Sequence, residues 1–297
     1  MKPPPFGYSR PESVAQAVAD LAEHGPDAKV LAGGQSLVPL LNMRLATPAH
    51  LVDINRLGEL GYITVGEGGV RIGALARHAQ VLADEAVTAA QPLIGQALQL
   101  VAHPVIRNRG TTVGSIVHAD PSGEMTAVLA LLGGSVRLVS ADGARSVPAD
   151  EFFLGPLESD VGEDELAVEV TMPALAPRAG TAFAEVSRRN GDYAVCGVAA
   201  IAELGPGGEV TGARTAYLSV AGTPLVLDLT EAVAADGAGA DAASNGGLAA
   251  AARLACERVS PASDIHATAA YRRHLAGVLT RRALGAAIAH AKERSDA

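Results

Sequence analysis

The chain has 297 residues, which suits two compact units and is too many for one small core. Hydrophobic residues make up 48%, yet Trp is absent and aromatics are only 3%, so the cores must be built from Val, Leu, Ile and Ala and not from stacked rings. A formal charge of -9, with Lys and Arg scattered along the chain, excludes a nucleic-acid backbone as a natural partner.

Met1-Lys2-Pro3-Pro4-Pro5 lacks the apolar stretch of a signal peptide. No apolar run approaches the roughly 20 residues that span a bilayer, so a cytoplasmic, not membrane-spanning, chain is expected. Ser9-Arg10-Pro11-Glu12 reads as a capping box. It precedes a helix with Val14, Val18 and Leu21 on one face and Gly25 as its stop. A strand from Lys29 to Ala32 runs into Gly33-Gly34, and another spans Leu51 to Ile54. This alternation marks a small α/β unit. Residues 63–65 and 70–72 flank Gly66-Glu67-Gly68-Gly69, the composition of a hairpin loop.

Helical spacing returns at 74–82 and 85–101, and His103-Pro104 ends it, because proline disfavours helical geometry in the residue before it. Residues 107–125 are polar and glycine-containing, and are expected to form one long functional loop. A helix at 127–132 and strands at 136–140 and 166–172 follow, and Pro173 and Pro177 mark a boundary. Beyond it, 181–187, 195–204 and 214–220 read as strands or strand-helix mixtures, with Ala-rich helices closing the chain. Residues 234–247 read as a surface loop. The expected division is therefore 1–173, with subdomains at 1–55 and 56–173, and then 174–297. Cys196 and Cys256 cannot supply the four thiolates of an iron–sulfur cluster and form no zinc pattern, so they read as buried thiols of a reducing compartment.

Two loops carry the functional signal. In Ala32-Gly33-Gly34-Gln35-Ser36-Leu37, adjacent glycines after a strand let an anionic oxygen approach uncovered amides, with the Ser36 hydroxyl nearby. An ordinary strand-to-loop turn has the same composition. Neither G-x-G-x-x-G nor G-x-x-x-x-G-K-[ST] can be fitted here, which disfavours two familiar nucleotide folds. The second loop is Arg107-Asn108-Arg109-Gly110-Thr111-Thr112-Val113-Gly114-Ser115, continuing to His118-Ala119-Asp120-Pro121-Ser122-Gly123-Glu124. Small hydroxyl residues and glycine suit a sugar and pyrophosphate. A capped helix start, with Ser122 as cap and Glu124 at the positive end, is equally consistent, and both readings can hold.

These loops, with Ser187-Arg188-Arg189, Gly191-Asp192-Tyr193 and Tyr271-Arg272-Arg273-His274-Leu275 in order, resemble the FAD-binding subunits of the xanthine dehydrogenase and carbon monoxide dehydrogenase family of molybdenum hydroxylases. The resemblance covers nearly the whole chain. It implies an α+β fold: a vanillyl-alcohol-oxidase (PCMH)-type FAD-binding domain of two α/β subdomains, followed by a C-terminal domain of antiparallel sheet and helices. It implies that Ala32, Gly33, Gly34, Gln35, Ser36 and Leu37, with Thr111, Thr112, Val113, Gly114 and Ser115, form the two FAD loops, their backbone amides and small side chains on the pyrophosphate. Asp120, Glu124, Leu166 and Tyr193 would stand near the flavin nucleotide, although Tyr193 is as readily a core tyrosine with its hydroxyl satisfied. It further implies an electron-transfer subunit with FAD as its own cofactor and no catalytic residue or metal ligand. A small 2Fe-2S subunit and a large molybdenum-cofactor subunit would be its partners, in a dimer of heterotrimers.

Two positions depart from the family pattern. Val113 replaces a glycine in T-x-G-G-[NS], and Glu185 stands where several members carry a basic residue. His118 and Asp120 lack the third ligand of a typical closed metal site. His103, His266, His274 and His290 read as surface or capping residues, and Arg272-Arg273 and Arg281-Arg282 as a solvated helix face or a docking surface. A self-contained flavin oxidase and a non-redox nucleotide-binding assembly module are the alternatives of other classes.

Overall fold

The computed structural model describes residues 2–234 and 245–296. The chain begins with a parallel sheet of β1 (Gly7–Ser9), β2 (Ala28–Leu31) and β3 (His50–Asp53), ordered β1-β3-β2 and connected through α1 (Val14–His24) and α2 (Leu37–Met43). Ser9 ends β1 and does not cap a helix. Instead, Ser13 Oγ accepts the Gln16 amide at 3.2 Å and Gln16 Oε1 accepts the Glu12 amide at 2.8 Å, a capping pair a few residues later than expected. The reason is long-range: Gly7–Ser9 is held in register with His50, Leu51 and Val52.

The second sheet is antiparallel, in the order β4 (Ile63–Gly66), β5 (Gly69–Gly73), β10 (Leu166–Met172), β6 (Ser135–Ser140), β7 (Gly143–Pro148). The hairpin β4 (Ile63–Gly66) and β5 (Gly69–Gly73) leads into a helical layer: α3 (His78–Ala83), α4 (Glu85–Ala90), α5 (Pro92–Leu98), α6 (Pro104–Arg107), α7 (Thr112–His118) and α8 (Glu124–Leu132). The helix expected at 85–101 is broken at Pro92, which lacks an amide hydrogen and opens α5 at its first position. Within the stretch expected to be one loop lies α7, capped by Thr111 Oγ1 accepting the Gly114 amide at 3.1 Å. Ser122 is not the cap of α8; Gly123 occupies that position. The sheet is completed by β6 (Ser135–Ser140), β7 (Gly143–Pro148) and β10 (Leu166–Met172), with α9 (Ala149–Phe152) and the small pair β8 (Phe153–Gly155) and β9 (Glu158–Ser159) between them.

The third sheet is an antiparallel meander of β11 (Ala179–Ser187), β12 (Ala194–Leu204), β13 (Val210–Leu218) and β14 (Leu225–Asp228), followed by α10 (Thr230–Ala234), α11 (Asn245–Arg258) and α12 (Ala269–Asp296). The loop expected at 234–247 falls mainly outside the described residues, although 245–247 begin α11. One face of this sheet packs under α11 and α12, around the buried Tyr217, whose hydroxyl meets Thr280 Oγ1 at 2.7 Å. The other face carries Ala199, Ile201, Ala216 and Leu218 into the large N-terminal core. Cys196 is buried in the sheet, whereas Cys256 is only partly so. Among the described residues, no helix is long and apolar enough to cross a membrane.

Arg272 corrects the reading of its helix as a solvated face. It is buried, and its guanidinium donates to the carbonyls of Val195 at 2.6 Å and Ser219 at 3.0 Å and pairs with Asp264. His290 likewise is no mere surface residue, since its Nδ1 accepts the Thr181 amide at 3.0 Å.

Candidate functional site

The two glycine-bearing loops meet. A Cβ built on Gly33 would lie 2.5 Å from the Arg109 carbonyl oxygen and 2.8 Å from Gly110 Cα, closer than real atoms pack, so only glycine allows this approach. Gly34 has φ +71°, a left-handed turn that aims the chain from β2 into α2. The amides of Gln35, Ser36 and Leu37 find no acceptor among the described residues. They are unsatisfied donors at the start of a helix, which is what an anionic oxygen requires.

Residues that local sequence did not single out hold the loops together. Asn55, just after β3, donates from Nδ2 to Ala32 O at 2.9 Å and to Asp53 Oδ1 at 2.6 Å. Arg77 bridges the gap, donating to Asn55 Oδ1 at 2.7 Å and to Arg109 O at 2.6 Å, and forms a bridge with Thr111. Beneath them His78 is buried, its amide donating to Gly110 O at 2.9 Å and its Nδ1 3.2 Å from Thr112 Oγ1. Burial, then the Arg107 charge, pushes the imidazole down to about 4, so it is neutral at physiological pH.

The site residues of the second loop divide into two groups. Thr112 turns inward: its hydroxyl faces His78 and its amide donates to Ala76 O at 3.3 Å. Val113 also points into the core, at 2% exposure, so the branched residue in place of glycine does not fill the outer side of the loop. Gly114 is required where it stands, because a Cβ would sit 2.5 Å from Thr111 Oγ1. Gly114 and Ser115 remain partly open on the first turn of α7.

From α7 the chain passes through Ala119 and Asp120 to α8. Ala119 takes φ +52°, strained for a residue with a Cβ, and Asp120 Oδ1 accepts the Ser122 amide at 2.8 Å. The Ser219 amide donates to Pro121 O at 2.8 Å, and its hydroxyl donates to Ala194 O at 2.6 Å while lying 2.9 Å from Ser122 Oγ, fixing this loop to the end of β13. Here Asp120, Glu124 and Tyr193 come together. Partial burial, then the charges of Asp120, Glu124 and Asp192, push the Tyr193 phenol up. The ring is 65% exposed, so it is not a core tyrosine. His103, on the surface, faces Gly191 in the turn before it, where a Cβ would lie 2.5 Å from the imidazole. Leu166 is buried at the start of β10, paired with Val139, in a strand that packs against α7.

The chain matches the family described as the FAD binding domain in molybdopterin dehydrogenase over residues 4–175, and the CO dehydrogenase flavoprotein C-terminal domain over 181–287. It belongs to the FAD-binding medium subunits of the molybdenum hydroxylases. Among relatives of this medium subunit, 6-hydroxypseudooxynicotine dehydrogenase complex subunit alpha of Paenarthrobacter nicotinovorans is 39% identical, over 98% of this chain and 97% of its own. Carbon monoxide dehydrogenase medium chain of Hydrogenophaga pseudoflava is 38% identical over 97% and 98%. The solved structure of carbon monoxide dehydrogenase from Hydrogenophaga pseudoflava, lacking the Mo-pyranopterin moiety, superposes with a TM-score of 0.90 at 39% identity, covering 98% of this chain and 99% of that one. This medium subunit is thus an FAD-binding chain of a redox enzyme, and the amides of Gln35, Ser36 and Leu37, which lack an acceptor among the described residues, fit an anionic group of that cofactor.

Proposed function

We propose that this chain takes electrons onto its FAD from the iron–sulfur clusters of a small partner subunit and passes them to an external acceptor. A large molybdenum-cofactor subunit oxidises the substrate. The observation that carries this reading is the contact of the Gly33 backbone with Arg109 and Gly110, which makes one cradle of two loops far apart in sequence. Bound FAD supplies the redox chemistry, and the chain's work is to hold and orient it. Ala32, Gly33, Gly34, Gln35 and Ser36 line one side of the cradle, and Gly114 and Ser115 the other. Asp120, Glu124 and Tyr193 stand toward the flavin end. No side chain here has to act as a general acid or base on substrate.

In this reading residues 1–173 hold the FAD between subdomains 1–55 and 56–173, and 174–297 brace the flavin end. The complex is a cytoplasmic dimer of heterotrimers, consistent with free thiols at Cys196 and Cys256. The purified chain is expected to carry oxidised flavin, and the complex reconstituted with its small and large subunits to reduce that flavin when substrate is added. Flavin reduction by substrate in the isolated chain would instead establish a self-contained oxidase.

A further inference from the structure

Glu185 lies on β11 opposite Gly197 of β12. Side chains alternate along the strand: Ala182, Ala184 and Val186 pack toward α11 and α12, whereas Phe183 packs on the N-terminal core, and Glu185 shares the Phe183 face. A Cβ on Gly197 would lie 3.2 Å from Glu185 Cβ and 2.7 Å from Leu218 Cδ2, so the glycine leaves the room this side chain occupies. Helix α8 packs on the same sheet, and Glu124, in its first turn, is 9% exposed.

Among the described residues neither carboxyl forms an ion pair. Glu185 Oε2 is buried without a hydrogen-bond partner among the described residues, and the neighbouring charge that acts on Glu185 is the like charge of Glu124. Glu124 accepts its own backbone amide and feels Asp120. Around them β12 and β13 offer Gly197 and Leu218, α5 offers the neutral Gln96 farther along β11, and the turn before β12 offers Tyr193. Burial, then Glu124, pushes Glu185 up to about 8, and burial, together with Asp120, pushes Glu124 up to about 7. Two such neighbours cannot both ionise cheaply, so near neutral pH they hold about one proton between them.

We propose that Glu124 and Glu185 form a single proton-holding unit beside the flavin, which takes up a proton from water when FAD is reduced and returns it on reoxidation. This rests on the FAD-dependent electron transfer proposed above. Its geometric basis is continuity: α7, whose first turn forms the cradle, leads through Asp120 directly to Glu124. On reduction, two electrons from a one-electron donor and one proton from water enter the flavin. A second proton from water bonds to a carboxylate oxygen of the pair, offsetting the added negative charge. On reoxidation that O–H bond breaks and the proton leaves.

The test is a redox titration of bound FAD in the purified full chain, with a chemical one-electron reductant, between about pH 6 and about pH 9. The wild-type chain is expected to take up about two protons per two electrons near neutral pH and Glu185→Gln about one, so that the pH slope of the potential is halved. Redox-difference infrared spectroscopy of the wild-type chain gives a reading that needs no variant: a protonated-carboxyl C=O band that changes on reduction and shifts in D2O. Should Glu185→Gln lose FAD, that band decides, and Glu124→Gln repeats the titration. Equal slopes with FAD retained, or no carboxyl band, overturn the proton-holding role and leave electron transfer standing. A chain that never binds FAD overturns both.

Discussion

Arg77 and Asn55 are joined by a hydrogen bond of 2.7 Å from the guanidinium to Oδ1, and the same guanidinium reaches the Arg109 carbonyl at 2.6 Å. One side chain thereby sets the spacing of the two cradle loops. Arg77→Ala is expected to weaken FAD binding about tenfold, from loss of about 1 to 2 kcal/mol of charge-assisted bonding. Arg77→Lys should recover only part of this, because an ammonium lacks the planar fork. Equilibrium titration by flavin fluorescence measures both.

Gly33→Ala places a methyl group against the Arg109 and Gly110 backbone. The loops must part by an ångström or so, costing about 1 to 3 kcal/mol. FAD affinity should fall at least tenfold while far-ultraviolet circular dichroism stays unchanged; wild-type affinity in this variant would show that the close approach is dispensable.

His78 predicts acid sensitivity. Its folded pKa, about 4, lies below the ordinary 6.5, so between these values the unfolded chain binds the extra proton. The stabilisation is complete above about pH 6.5 and is lost as pH falls toward about 4, by up to about 3 kcal/mol. Denaturant unfolding of wild type and His78→Gln at a pH near 8 and a pH near 4.5 isolates the contribution. A wild-type loss no larger than that of the variant would assign the acid sensitivity elsewhere.

Removal of the Arg272 side chain strands two carbonyls, those of Val195 and Ser219, whereas Asp264, half-exposed, keeps water and the amides of His266 and Ala267. Arg272→Met should cost about 2 to 4 kcal/mol and lower Tm by roughly 5 to 10 °C, as read by calorimetry. Because Ser219 also anchors Pro121 and Ser122, flavin affinity should fall with stability.

Much of this architecture is written locally. The glycine pair after β2 and the hairpin at Gly66 to Gly69 follow from turn chemistry, whereas the three long strands of the C-terminal sheet read equally as strand-helix mixtures, because β12 is buried on both faces and shows no alternation. What escapes is whatever a distant partner decides. Gly7 to Ser9 carries no strand pattern and becomes β1 only because β3 pairs with it. Thr111 to His118 looks like loop because its glycine and hydroxyls are poor helix formers, yet Thr111 caps it. Arg77 and Asn55 stand 22 residues apart, and Arg272 looks like any helical arginine until the sheet buries it. The two cradle loops can be named from composition, but their meeting at Gly33 and Gly110 cannot.

The large apolar cluster runs from α1 to β13, taking in Ala179, Ala194, Ala199, Ile201, Ala216 and Leu218 from beyond Pro173. A polypeptide ending at that proline would therefore present a sticky, half-finished surface to water, since the meander supplies its wall. Heating should melt the entire molecule in one cooperative step, and release of the yellow chromophore should coincide with that step instead of preceding it.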